Sequence, residues 1–351
     1  MAASRIPTPS SIRGRNVTFL MPQVEECRIS MRMTSADSPP SHRFPSGWIL
    51  PSMVLLIAAA CLAGYAASVV PQLDLLVHFQ VQYAWVLLLI LLLLLCTRRW
   101  GWAIAATALL VLPAARIAPW YLDAPPPVAG PVIELLSCNV KFSNPEHRQL
   151  IELIEHVDAD IVVVQEATSR WADALTVLST GWPHLISHPT PGPRGMLLMS
   201  RRPLQDTAVT IDPVTRHCTL SATIDVDGRS MRIIAAHPFR PGLRHGSRLL
   251  AGELERLGDL AGDDTDNLIV IGDLNTTMWS KTYIDFVEAN RLSNLRQGIG
   301  ILPSWHSLVP WLSAIPIDHC LVGSELQGFD FRLRPVAGSD HDAMVAVIGF
   351  R

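Results

Sequence analysis

Residues 85–95 are drawn only from Trp, Val, Leu and Ile. A helix in a globular core needs one apolar stripe, whereas this run is apolar on every face, so it is expected to cross a bilayer. Two further runs flank it. Residues 48–70 carry no charge, and residues 100–122 are interrupted by Pro113 and by Arg116, which sits close enough to the end to snorkel. Trp100, Trp102, Trp120 and Tyr121 lie near the two ends of that last run, as interfacial aromatics do. The expectation is about three transmembrane helices, over 48–70, 81–97 and 100–122, with a break at Pro71-Gln72-Leu73-Asp74. These segments hold the apolar excess of a 351-residue chain that is 49% hydrophobic and 17% charged, with a mean hydropathy of +0.28.

Short-loop charges orient the spans. Residues 1–47 carry Arg5, Arg13, Arg15, Arg28, Arg32 and Arg43 against Glu25, Glu26 and Asp37, without sustained periodicity, and read as a disordered basic tail. Residues 71–82 hold neither Lys nor Arg, and Arg98-Arg99 separate the second and third spans. Positive loops belong on the cytoplasmic side. The reading is therefore a multi-pass protein of the inner (plasma) membrane, with a cytoplasmic N-terminus and an extracytoplasmic C-terminal domain. If the third run does not span, that domain is cytoplasmic instead.

Residues 123–131 form a Pro-rich linker expected to hold the following domain, 132–351, off the bilayer. Within that domain the pattern changes to short β-branched runs at 133–138, 161–164, 196–199, 220–225, 231–236, 268–271, 317–322 and 344–348. Helical patterns fall at 145–156, 171–179, 244–261 and 282–289, and Val226-Asp227-Gly228-Arg229 reads as a hairpin turn. Strands outnumber helices about two to one, which points to an α/β fold of packed, largely antiparallel sheets flanked by helices. The six cysteines form no CxxC pair, so neither a zinc site nor a disulfide framework is expected. Cys138, Cys218 and Cys320 read as buried thiols or as including one disulfide.

Polar clusters follow most of the apolar runs. They are Ser137-Cys138-Asn139, Gln165-Glu166, Ala236-His237-Pro238, Gly272-Asp273-Leu274-Asn275, Ile317-Asp318-His319 and Gly338-Ser339-Asp340-His341. Each has an ordinary reading as a turn residue, a solvated strand end, a cap or a surface charge. Six of them at strand ends in one domain are harder to explain separately.

As a set, in order and approximate spacing, these motifs resemble the endonuclease/exonuclease/phosphatase (DNase-I-like) superfamily, in a membrane-anchored, bacterial-type form. The resemblance runs from about Ile133 to the C-terminus and implies a four-layered α/β sandwich, two packed mixed sheets flanked by helices. It also implies a metal-dependent hydrolase of phosphoric ester bonds. Glu166 would be the principal metal ligand, with Asn139 and Asp340 beside it, and Mg²⁺, or Mn²⁺ in its place, suits such oxygen donors. Asp273 would orient or deprotonate water, Asn275 would bind a phosphate oxygen, and His341, polarised by Asp318, would act as general acid or electrostatic stabiliser. His237 would be the second imidazole, near the leaving group. The chain departs from the family pattern at Asp342-Ala343, where a basic residue and a proline are usual, and its segment between Val140 and Val164 is short.

Residues 132–351 contain 19 Lys and Arg against 26 Asp and Glu, the reverse of a dedicated nucleic-acid binder. The basic stretch from Arg240 to Arg248 could flank the site or be the solvated face of a helix. The substrate is expected to be a phosphodiester or phosphomonoester, in nucleic acid or in a phospholipid headgroup near the tether. A catalytically silent, membrane-anchored scaffold or receptor of the same fold is the alternative, and the chemically competent residues at all six motifs weigh against it. A transporter is disfavoured, because spans without charge offer no pathway. Oligomeric state is not legible.

Overall fold

The computed structural model describes residues 46–122, 132–242, 245–307, 309 and 313–351. The basic tail lies outside the described residues except for its last two positions, and the Pro-rich linker and Arg244 lie outside them altogether.

Helix α1 (Ile49–Tyr65) continues for one 3₁₀ turn, Ala66–Ser68. A 3₁₀ segment, Pro71–Phe79, then runs directly into α2 (Gln80–Cys96), and α3 (Trp100–Ile117) ends in the 3₁₀ turn Ala118–Tyr121. Two of these helical stretches, Pro71–Cys96 and Trp100–Tyr121, are long and apolar enough to cross a membrane, while Ile49–Tyr65 is shorter. Of the about three transmembrane helices expected, two are thus long enough to cross, and the first has 17 residues and rises about 26 Å against a hydrocarbon core of about 30 Å. The break expected at Pro71 is also shorter than expected. Proline is well suited to the first position of a helical segment, where its missing N–H costs nothing, and here it restarts the helix. The three helices meet through Val54, Ile57, Cys61, Leu87, Ile90, Leu94, Ala103 and Ala106, and Leu56, Leu92 and Ile104 point outward, exposed.

The remainder is a four-layered α/β sandwich. One six-stranded sheet joins β1 (Val132–Asn139), β2 (Ile161–Gln165), β3 (His184–His188), β4 (Met196–Ser200), β11 (Leu326–Pro335) and β12 (Asp342–Phe350) in the order β11-β12-β1-β2-β4-β3. The second joins β5 (Gln205–Ile211), β6 (Cys218–Val226), β7 (Arg229–Ala236), β8 (Leu268–Asp273), β9 (Ser293–Asn294) and β10 (Asp318–Val322) as β5-β6-β7-β8-β10-β9. Both sheets are mixed, because β1 pairs with β2 and β7 with β8 in parallel, and the other pairings are antiparallel. The β6–β7 hairpin turns at Asp227 and Gly228, with φ of 54° and 83°, the pair of left-handed residues a two-residue hairpin needs.

Alternating side chains explain the layers. Ile133 and Leu135 of β1 face the core between the sheets, together with Ile233, Ile271 and Ile348. Leu136 and Cys138 face the other way, against α4 (His147–Val157) and α5 (Ser169–Leu175), whose Leu150, Ile154 and Trp171 are fully buried. Helices α6 (Gly246–Ala261) and α7 (Lys281–Ala289) cover the outer face of the second sheet. Val77 belongs to that same cluster, so the helical region shares a core with the sandwich. Cys138, Cys218 and Cys320 are free and buried.

Candidate active site

Topology brings the motif residues together. Parallel pairs end on the same side, so β1 delivers Asn139 and β2 delivers Gln165 and then Glu166. In the second sheet β7 delivers His237 and β8 delivers Asp273. Antiparallel strands begin where their neighbours end. Asp318, the first residue of β10, therefore pairs with Asp273, and Asp340-His341 immediately precede β12 beside the end of β1.

Close approach of the β7 and β8 ends at this edge depends on Gly272. Its φ is +143°, and a Cβ there would run into the carbonyl oxygen of Ala236. Gly272→Ala is therefore expected to cost about 3 kcal/mol through backbone strain and displacement of the β7 and β8 ends. Urea denaturation of the variant, read beside its activity, measures both effects.

Asp273 is the hub. Its Oδ2 accepts from Asn139 Nδ2 at 3.0 Å and lies 3.4 Å from His237 Nε2 and 3.6 Å from His341 Nε2, while Oδ1 accepts from the Asn275 N–H at 2.8 Å. Burial alone would raise its pKa, but the His341 charge and the hydrogen bonds from His237 and Asn275 outweigh it and hold the carboxyl well below the usual range. His341 Nδ1 lies 2.9 Å from Asp318 Oδ2. Burial acts to lower the His341 pKa, yet the two carboxylates it touches push it up to about 10, so the imidazolium persists far above neutrality. Burial is likewise overcome at His237, which its bond to Asp273 raises. Asn275, in a left-handed conformation with φ 53°, donates through Nδ2 to Pro238 O at 3.0 Å.

The second group of residues offers oxygen. Glu166, also left-handed at φ 60°, accepts from Asn139 Nδ2 at 3.2 Å and from the Phe142 N–H at 2.9 Å. Asp340 receives the Trp305 indole N–H at 3.3 Å and lies 3.8 Å from Lys141 Nζ. Ser339 Oγ donates to Asn139 O at 2.6 Å and accepts from the His341 N–H at 3.0 Å, which ties this loop to β1. The two carboxylates fit a hard divalent cation, whereas Asn139, expected as a further oxygen ligand, turns its Nδ2 to Glu166 and Asp273 and its Oδ1 to the Lys141 N–H. Asp273, Asp318 and His341 form a second close group, with potential ligand atoms within 4.8 Å of one another. A histidine must be neutral to ligate, so that trio would have to give up the His341 proton to hold an ion.

Several contributors were not visible in the sequence. Arg296 is fully buried, and its guanidinium donates to Ile301 O, Leu302 O and, at 2.7 Å, Asp318 O, which fixes the backbone that carries Asp318. Burial lowers its pKa to about 10, and it remains charged at neutral pH. Lys141 and Trp305 frame Asp340, and only the position of Lys141 two residues after Asn139 could have signalled a role. His319, which shares a motif with Asp318, lies away from the cluster and binds Thr276 O at 2.8 Å and Asn294 Nδ2 at 2.9 Å.

Behind His237, the His217 ring lies 5.8 Å away, centroid to centroid, and burial pushes its pKa down to about 4. His319 is pushed down to about 3 for the same reason. Unfolding frees both to titrate near 6.5, so between about pH 6.5 and pH 3 the unfolded chain binds protons that the native chain refuses. Stability is therefore expected to fall as pH drops below about 6.5, with a shallower slope in His217→Phe. Thermal melts between pH 7 and pH 4.5 test this.

Residues 136–341 match the Endonuclease/Exonuclease/phosphatase family. The chain belongs to that family. Its members are metal-dependent hydrolases of phosphoric esters, and so is this protein. Among curated proteins none matches in sequence. Similar solved structures include D. rerio TDP2 with a single-strand DNA product, at 16% identity and TM-score 0.52, covering 62% of this chain and 99% of that one. The human Nocturnin catalytic domain with bound sulfate matches at 19% identity and TM-score 0.52, covering 64% of this chain and 96% of that one. The Neisseria 3′ phosphatase NExo, bound to a product DNA hairpin, matches at 18% identity and TM-score 0.51, over 62% and 99%. At these identities the likeness to the family's solved members is one of fold.

Proposed function

We propose that this protein is a membrane-anchored phosphoesterase, activated by Mg²⁺ or Mn²⁺, that hydrolyses the phosphate ester of a phospholipid or its headgroup. The observation that carries the phosphoesterase chemistry is the buried Asp318–His341–Asp273 group beside the carboxylates Glu166 and Asp340, with the Asn139 amide bridging Glu166 and Asp273. A divalent cation held by Glu166 and Asp340 would neutralise charge on a phosphoryl oxygen. Asp273, ionised and aimed by Asn139, His237 and the Asn275 N–H, orients the attacking water and accepts its proton. His341, kept protonated by Asp318, hydrogen-bonds the phosphoryl oxygens as negative charge grows on them. His237 steadies Asp273 and stands ready for the leaving oxygen, and Asn275 fixes the loop edge at which a phosphate oxygen would bind. A silent scaffold would have no use for this charge arrangement, whose assembly requires burying several ionised groups.

Placement in the membrane is supported by the ends of the helices. The segments Pro71–Phe79 and Ala118–Tyr121 lie against the sandwich, where Val77, Ile117 and Trp120 pack on its outer cluster. Arg98 and Arg99 turn the chain between α2 and α3, at the ends of those helices remote from these segments. With positive charge inside, the sandwich then sits on the extracytoplasmic face of the inner membrane. The acidic excess of residues 132–351 works against a polyanionic nucleic acid, and the anchor keeps the site within reach of lipid headgroups.

The full chain in phospholipid nanodiscs with Mg²⁺ tests this reading. Phosphorus NMR should show a new phosphate or phosphorylated headgroup at a rate above the cleavage of single-stranded DNA offered beside it. Cleavage of DNA without any lipid product would overturn the choice of substrate.

A further inference from the structure

The chain between Asn275 and α7 is irregular yet wholly buried, and three of its side chains are held by the helical region, 163 to 206 residues earlier in sequence. Asp74, 6% exposed, accepts from Ser280 Oγ at 2.5 Å and from the Lys281 N–H at 3.2 Å. It caps α7 from a distance, because Ser280, the residue in the N-cap position, makes no side-chain cap of its own. His78 Nδ1 lies 2.8 Å from Thr277 Oγ1. Trp279 Nε1 donates to Arg116 O at 2.9 Å, and Leu274, Met278 and Trp279 share a buried cluster with Val77. On the opposite side His319 holds Thr276 O, so the loop is gripped from both faces.

The other wall of the site is tied to the same region. Trp305 bridges to both Ile315 and His341, and Gln82 Nε2, at the start of α2, donates to Ala314 O at 2.8 Å. The two loops that frame Asp273, Asn275 and His341 are thus both fastened to the segment between α1 and α2 and to its continuation.

We infer that Asp74 and His78 are positioning residues of the active centre, and that the segment Pro71–Phe79 is a working part of the catalytic domain as well as of its anchor. Neither residue can reach a substrate, since both are buried against residues 277–281. They act through the backbone that carries Asn275 and, through it, on the N–H that holds Asp273. A buried carboxylate and imidazole, each spent on one loop, give a rigidity that an apolar contact would not. The inference rests on the phosphoesterase reading for its kinetic consequence, and its structural consequence is independent of it.

The test uses the full chain in nanodiscs with the soluble diester bis-p-nitrophenyl phosphate. Thr277→Val, nearly isosteric, and His78→Gln are each expected to lower kcat about tenfold with KM within twofold of wild type. The double variant should lose no more than either single one, because both remove the same bond. Hydrogen exchange at the amides of residues 276–281 should quicken about tenfold in both, while the β1 and β12 amides stay protected. Wild-type kcat in folded single variants, or losses that multiply in the double variant, would overturn the inference, and so would unchanged exchange in that loop. An inactive wild-type chain would sink the functional reading instead, and the exchange data would still decide the positioning claim.

Discussion

Asp273→Asn is expected to lower kcat by about 10²- to 10⁴-fold while leaving the fold standing. The carboxylate is nearly inaccessible and is ringed by donors from Asn139, His237, His341 and the Asn275 backbone. An asparagine keeps the shape, but it places an amide among donors or turns its single oxygen to only some of them. It also removes the charge that raises the His237 pKa and adds to that of Asp318 in raising the His341 pKa, and it leaves no base for the attacking water. Steady-state turnover of a soluble phosphodiester beside a thermal melt measures the effect. An Asp273→Asn variant that melts like wild type and retains more than a tenth of its kcat would show that the carboxylate is structural.

Glu166→Gln should act on the metal. Glu166 is the only carboxylate that the end of β2 offers to the site, and its backbone adopts an unfavourable left-handed conformation to place it. Glutamine preserves the length and, with one oxygen in place of two, one of the bonds from Asn139 and Phe142, but removes the charge that a divalent cation needs. The Mg²⁺ concentration for half-maximal activity is expected to rise about 100-fold, with kcat at saturating Mg²⁺ closer to wild type than in Asp273→Asn. Metal titrations of activity for both variants separate the roles: one shifts the midpoint, the other the ceiling. If the two variants give the same curve, Glu166 and Asp273 do not have the distinct roles assigned to them.

The sequence revealed the fold unevenly, and the reason is burial. Eight apolar runs were legible, and they are β1, β2, β4, β6, β7, β8, β10 and β12, the interior strands of the two sheets. The four strands that gave no signal, β3, β5, β9 and β11, are the four edges. An interior strand of a sandwich with helices outside is covered on both faces and reads as a continuous apolar run. An edge strand is not. Gln205–Ile211 is exposed along nearly its whole length and offers no apolar periodicity to find.

The site was legible for a related reason. Its residues stand at the ends of those same interior strands, so each polar cluster follows or precedes a run that can be seen. What could not be read were contacts made across the chain. Arg296 looks like any surface arginine until it is found holding Asp318 O, and Asp74 looks like a loop residue until Ser280 closes on it. In sequence, Pro71-Gln72-Leu73-Asp74 reads as a break after the first apolar run. Only the tertiary structure shows that the charge is a helix cap for the catalytic domain.

The measurement closest to the central claim is the divalent-metal dependence of phosphodiester hydrolysis by the full chain in nanodiscs. Turnover of bis-p-nitrophenyl phosphate should vanish in EDTA, return with Mg²⁺ or Mn²⁺, and stay at least about a hundredfold lower in Asp273→Asn at every metal concentration. Turnover that survives EDTA, Asp273→Asn turnover above a tenth of wild type, or a folded wild-type chain that hydrolyses no phosphate ester with either metal, would contradict the account.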